Sequence, residues 1–166
     1  MNKAHFFICC IAQEKNFTSL QLFSAIQSFV GDAICAAGPV ENWHAPIEYI
    51  DEMGENLNTV IFDIPMLRDK QWIVALKRFC SKKKKKNSIN KKRLYNMNPG
   101  FISQNGLFLA THKDSETRSR TPITETVFIE QELEVHDGQL YPLPNAFSEY
   151  VADERLGLFN KWYKAL

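Results

Sequence analysis

Three short stretches combine residue types that could do chemistry. Thr111-His-Lys-Asp114 closes an apolar run, and Arg118 follows it closely. A Lys, an Arg and an Asp together can clamp a phosphate or carboxylate, the Asp orienting the two cations. The competing reading is an exposed charged turn. Arg93-Leu-Tyr-Asn-Met-Asn-Pro-Gly100 sets a cation and the amide of Asn96 before an Asn98-Pro-Gly100 turn signal. Backbone N–H groups freed in such a turn can bind an anion, although an ordinary turn needs the same residues. Glu130, Glu132 and Glu134 alternate along a strand-like segment, about 7 Å apart from neighbour to neighbour. Such carboxylates can hold a cation or move protons, whereas a solvated strand face needs neither. Glu130, beside the apolar part of that segment, is the one singled out as a general base, with Glu52 of Glu52-Met-Gly54 as a second. The anion-site candidates are therefore Arg93, Asn96, Lys113, Asp114 and Arg118.

Other chemistries lack their signatures. There is no phosphate loop of the G-x-x-x-x-G-K-[ST] type, no G-x-G-x-x-G, no G-x-S-x-G elbow and no H-E-x-x-H. His5, His44, His112 and His136 are scattered without metal-ligand spacing, and Cys9, Cys10, Cys35 and Cys80 form no C-x-x-C pair. No metal site or cofactor is expected. Each cysteine lies in an apolar stretch, which predicts buried free thiols and a cytoplasmic protein. The apolar run Phe6–Ala12 is too short for a signal peptide core with its flanks, and no run is long enough to span a membrane.

The 166 residues suit one domain, and 45% hydrophobic with 23% charged residues suits a soluble globular one. A net charge of +1 hides an asymmetry. Twelve basic residues and no acidic one lie between Lys70 and Lys113, leaving eight basic against nineteen acidic residues elsewhere. Such a basic middle reads as an anion or RNA patch, or as a solvated lysine-rich loop over 82–92 that stays mobile.

Hydrophobic spacing supplies the elements that must position these groups. Phe6–Ala12 reads as a buried strand, and Thr18-Ser-Leu-Gln21 as a capping box opening a helix that Gly31 ends. Ala33–Ala37 reads as a strand stopped by Gly38-Pro39. Pro46 opens a second helix whose stripe is Ile50, Met53, Leu57, Val60 and Ile61. Asp69 caps a third helix, with Trp72, Ile73, Leu76, Phe79 and Cys80 as its stripe. Gly106–Thr111 and Val127–Val135 read as strands. Asp137-Gly138 then turns into a return strand over Gln139–Leu143, and Asn145 caps a last helix. The order β-α-β-α-α-β-β-β-α predicts an α+β fold, a single domain over 1–166 with a mainly antiparallel sheet and about four helices packed on it.

The order and spacing of these motifs are distinctive. Tyr49…Glu52-Met53-Gly54…Leu57, Arg93…Asn96…Pro99-Gly100-Phe101, Leu109-Ala-Thr111…Lys113-Asp114…Arg118, then Glu130 and Asp137-Gly138 together resemble the prokaryotic domain-of-unknown-function family 4416, some members of which are called GTP-binding proteins. The resemblance implies a small single-domain protein without naming a reaction. Departures stand at Asn98, where the family has Asp; at Thr117, where it has His before the Arg; and at Phe147-Ser-Glu-Tyr150, where it has Tyr-Pro-Asp-Tyr. The guanine-reading Asn-Lys-x-Asp pattern is missing. Three functions follow as expectations: binding of a nucleotide or RNA phosphate, an enzyme acting on a phosphorylated small molecule with a Glu base, or a non-catalytic interaction module.

Overall fold

An unbroken apolar run needs cover on both faces, and the strand Lys3–Gln13 has it: from Ala4 to Ala12 its apolar residues are essentially inaccessible. Residues 2–17, 20–31, 34–86 and 88–166 are described by the computed structural model. In chain order the elements are β1 (Lys3–Gln13), α1 (Glu14–Phe17), α2 (Leu20–Val30), β2 (Cys35–Asn42), α3 (Ile47–Met53), β3 (Leu57–Asp69), α4 (Trp72–Lys86), β4 (Ser88–Ile89), β5 (Lys92–Arg93), β6 (Tyr95–Ser103), β7 (Gly106–Thr111), β8 (Arg120–Thr124), β9 (Val127–His136), β10 (Gln139–Pro142), α5 (Ser148–Val151) and α6 (Asp153–Lys164). The main sheet runs β10-β9-β7-β6-β1-β3-β2, with β8 also paired to β9 and every pairing antiparallel. The fold is α+β, as the sequence predicts.

Alternation along β1 splits the core. Phe6, Ile8 and Cys10 meet Leu22 and Ile26 of α2 and Ile73, Leu76 and Cys80 of α4. Phe7 and Cys9 meet Tyr150 of α5 and Phe159 and Trp162 of α6. Helices therefore cover both faces of the sheet, which is why β1 at its centre is apolar from Phe6 to Ala12.

Several expected boundaries move. The second helix stops at Met53, because Gly54 turns out at φ +91° and Asn56 follows at φ +57°. Leu57, Val60 and Ile61 belong instead to β3, the partner of β1, where β-branched residues fit the pleat. Lys82–Lys86 extend α4 rather than forming a loop, and Ser88–Arg93 then make the β4–β5 hairpin over Asn90 and Lys91, both at positive φ. β2 continues past Gly38-Pro39 with a register shift between Ala37 and Glu41. Asn145 caps nothing: α5 begins after Phe147, and the Asn145 carbonyl accepts from Arg118. Cys9, Cys10 and Cys80 are buried, but Cys35 is exposed on the β2 edge strand. The capping box at Thr18-Ser19 and the start of the Ala33 run lie outside the described residues.

Asn98-Pro-Gly100 is not a turn but the middle of β6. Gly100 is glycine for want of space. A Cβ there would lie 2.5 Å from Phe7 Cζ and 2.7 Å from the Phe108 carbonyl oxygen. Gly100→Ala is expected to cost roughly 1–3 kcal/mol through overpacking. Urea unfolding checks this, and an unchanged midpoint would contradict it.

Candidate functional site

The face of α4 turned to the sheet carries Lys77, Cys80 and Lys84, spaced three and four residues apart. Opposite, β6 presents Asn96 and Asn98 at alternate positions. Lys84 Nζ donates to Asn96 Oδ1 at 3.0 Å, and Asn96 Nδ2 reaches Asn98 Oδ1 at 3.4 Å. Arg93 grips Glu52 with two parallel bonds, Nε to Oε1 at 2.5 Å and Nη2 to Oε2 at 2.6 Å, while its Nη1 donates to Asn96 Oδ1 at 3.1 Å. Tyr49 lies 5.8 Å from the guanidinium. Arg93, Asn96 and Glu52, separate candidates in the sequence, thus form one polar ladder leading to Asn98.

The Arg93 hydrogen bonds hold the Glu52 carboxyl below its ordinary range. Glu52 is an anchor for Arg93 more than a base. Burial pulls Lys84 down to about 8, helped by the charges of Lys77 and Arg93. A lysine with a depressed folded pKa contributes stability that is present above its unfolded value and lost as pH falls through the folded one. The stability of the native protein relative to Lys84→Met is therefore expected to climb between about pH 8 and the ordinary lysine range. Denaturant titrations across that window check it; a flat difference would contradict it.

A second cluster forms across β8 and β9. Glu130 Oε1 accepts from Arg118 Nε, and its Oε2 accepts from Arg120 Nε at 2.7 Å. Arg118 Nη2 donates to Glu132 Oε1 at 2.9 Å, and the other Glu132 oxygen accepts the Phe147 backbone N–H at 2.7 Å. Arg118 also stacks 4.1 Å from the Phe147 ring centre. Glu130 and Glu132 are buried, so this part of the strand is a salt-bridged interior and not a solvated face. Glu134 alone keeps the expected exposure, paired with His136. Burial raises the Glu132 pKa despite its arginine.

Between the clusters lies a cleft of about 260 Å³. Trp43, Tyr49, Phe147 and Tyr150 give it aromatic walls; Lys77, Asn98, Thr111, Arg120, Glu130 and Glu149 give it polar ones. Glu149 is buried, and burial raises its pKa against the opposing hydrogen bond from the Trp43 side chain. Lys77 is only 5% exposed. Among the described residues it has neither a hydrogen-bond acceptor nor a salt-bridge partner, and burial lowers its pKa. Arg120 spends Nε on Glu130 and Nη1 on the Lys113 carbonyl at 2.5 Å, leaving Nη2 without an internal acceptor among the described residues.

Of the expected site residues only Glu130 lines this cleft. Arg118 stands behind it, with its charge taken by Glu130 and Glu132. Lys113 and Asp114 are exposed in the turn after β7, where Asp114 accepts the Ser115 N–H at 2.8 Å and leaves Arg118 unoriented. The sequence reading missed Lys77, Arg120 and Glu149. Lys77 looked like one more cation in a basic stretch; its position on the apolar stripe side of α4, one residue from Leu76, was the available signal. Among the described residues no group of His, Cys, Asp and Glu could hold a metal ion, and no helix is long and apolar enough to cross a membrane. A model of the family DUF4416, a domain of unknown function, matches residues 2–165. No curated protein and no solved structure matches the chain.

Proposed function

The chain belongs to the DUF4416 family, and we propose that it binds a small anionic ligand of mononucleotide or sugar-phosphate size in the aromatic-walled cleft. One observation carries this reading: Lys77 and Arg120 both line the cleft, and Lys77 Nζ and Arg120 Nη2 have no internal acceptor among the described residues. Two cationic donors held in one cleft without protein acceptors favour an occupant rich in acceptors. Asn98 and Thr111 add directional donors and acceptors. An Asp at position 98 would add a negative charge to this wall, whereas Asn98 adds none.

The test is a thermal-shift screen with inorganic phosphate, nucleoside monophosphates and sugar phosphates. A ligand at 100 times its Kd stabilises by about 2.7 kcal/mol. A shift that is lost in Lys77→Met supports the reading, and a panel without any shift removes it. Asn98→Asp is expected to weaken phosphate binding by roughly tenfold or more, since a like charge beside an anion in a partly closed site costs upwards of about 1.4 kcal/mol. The same titration checks it; unchanged affinity would place the anion elsewhere.

An RNA reading has a different carrier. Arg78, Lys82 and Lys85 are exposed at steps of four and three on α4, and Lys91 and Lys92 are exposed on the hairpin that follows it. RNA binding there would weaken steeply with salt and ignore Lys77→Met.

A further inference from the structure

The arrangement around Lys77 goes further than anion binding. Lysine amines at a protein surface are protonated and solvated, or paired with a carboxylate. Lys77 has no carboxylate paired to it among the described residues, and the residue is only 5% exposed beside the buried Ile73, Leu76 and Cys80 of α4. Neither of the two acids that share its cleft is paired with it. Glu130 is bridged by Arg118 and Arg120, and Glu149 is held by Trp43 and Ser148. A permanently charged clamp would be poorly served by such a site, whereas an amine that works in its neutral form is well served.

We propose that Lys77 is a nucleophile that forms an imine with a ligand carrying a carbonyl carbon next to an anionic group, the anion resting on Arg120. The substrate class is thus oxo acids and phosphorylated aldehydes or ketones. This rests on the anion-binding reading of the same cleft. The neutral amine adds to the carbonyl carbon, and one of its protons passes to the oxygen to give a carbinolamine. The hydroxyl then leaves as water with the nitrogen's remaining proton, and the C=N bond forms. Carbonyl and amine are consumed one to one, and no oxidant or reductant enters. Glu149 is the cleft's proton donor for the departing hydroxyl, since burial favours its neutral carboxyl, and it recovers a proton from the nitrogen. Burial likewise favours the free amine of Lys77.

The experiment is borohydride trapping on the native protein. Glyoxylate, pyridoxal phosphate and the uncharged propionaldehyde serve as probes, with the modified lysines located by peptide mass spectrometry. The expected result is one reduced adduct per chain on Lys77, formed roughly tenfold or more faster than on exposed Lys82, Lys85, Lys91 or Lys92. Glyoxylate and pyridoxal phosphate should outpace propionaldehyde at Lys77 alone, and inorganic phosphate should compete. The rate at Lys77 should level off at lower pH than at the exposed lysines. Adducts spread over the exposed lysines with Lys77 unmodified would overturn the proposal. If phosphate still shifts the melting temperature in that case, the anion-binding reading survives by itself; if it does not, both fall. Because the labelling is mapped on the unmutated chain, no variant has to fold for the outcome to count.

Discussion

Lys77→Met is expected to stabilise the ligand-free protein by about 1–2 kcal/mol while abolishing ligand-induced stabilisation. The two effects have one origin. The ammonium of a residue this buried, with no paired carboxylate among the described residues, carries a desolvation cost. Methionine keeps the length and most of the volume, so no cavity opens beside Leu76 and Cys80. A purely structural lysine would behave in the opposite way, because its loss would leave an acceptor unpaired and lower stability. Urea unfolding of both proteins, with and without phosphate, separates the cases. A fall in ligand-free stability would mean that Lys77 holds the fold together, and the cleft would lose its main claim to be a site. Stability gained where function is lost marks residues kept for chemistry, since proteins tolerate such costs at functional positions.

How much of this was legible beforehand depends on the scale of the signal. β1, β7 and the β9–β10 hairpin were readable, because an apolar run bounded by polar residues and an Asp137-Gly138 turn are local facts. β3 was not. Leu57, Val60 and Ile61 sit at spacings that suit a helix as well as a strand, and only pairing with β1 decides between them. The same limit applied to Gly100, whose reason is the Phe7 ring lying across its backbone and not a turn. At the site, residue types were legible and their state of pairing was not. Arg93 and Arg118 were singled out as ligand-binding cations, and in the structure each is ion-paired, with Glu52 and with Glu130 and Glu132. Nothing local in a sequence says which cation has already found its carboxylate. Glu149 and Arg120 escaped for a related reason: their importance comes from facing a cleft built by residues far apart in the chain.

Arg118→Met is expected to cost about 3–5 kcal/mol, the range for breaking a buried ion pair by removing one partner. An exposed pair such as His136 with Glu134 would cost about 1 kcal/mol or less. Burial makes the difference: Glu132 is fully inaccessible and Glu130 nearly so, and without Arg118 the first keeps, among the described residues, the Phe147 N–H as its donor. The deficit should also depend on pH, with a definite sign. Burial already raises the folded Glu132 pKa, so its contribution to stability is present below the unfolded value and lost as pH rises through the folded one. Removing the guanidinium raises it further. The variant should therefore be most defective near neutrality and recover toward acid, where Glu132 folds as a neutral carboxylic acid. Arg118→Met combined with Glu132→Gln should regain much of the loss, because the stranded charge is gone. A mild, pH-independent deficit with ligand affinity abolished would instead return Arg118 to the role of a ligand cation, against the geometry that has both its carboxylates in hand.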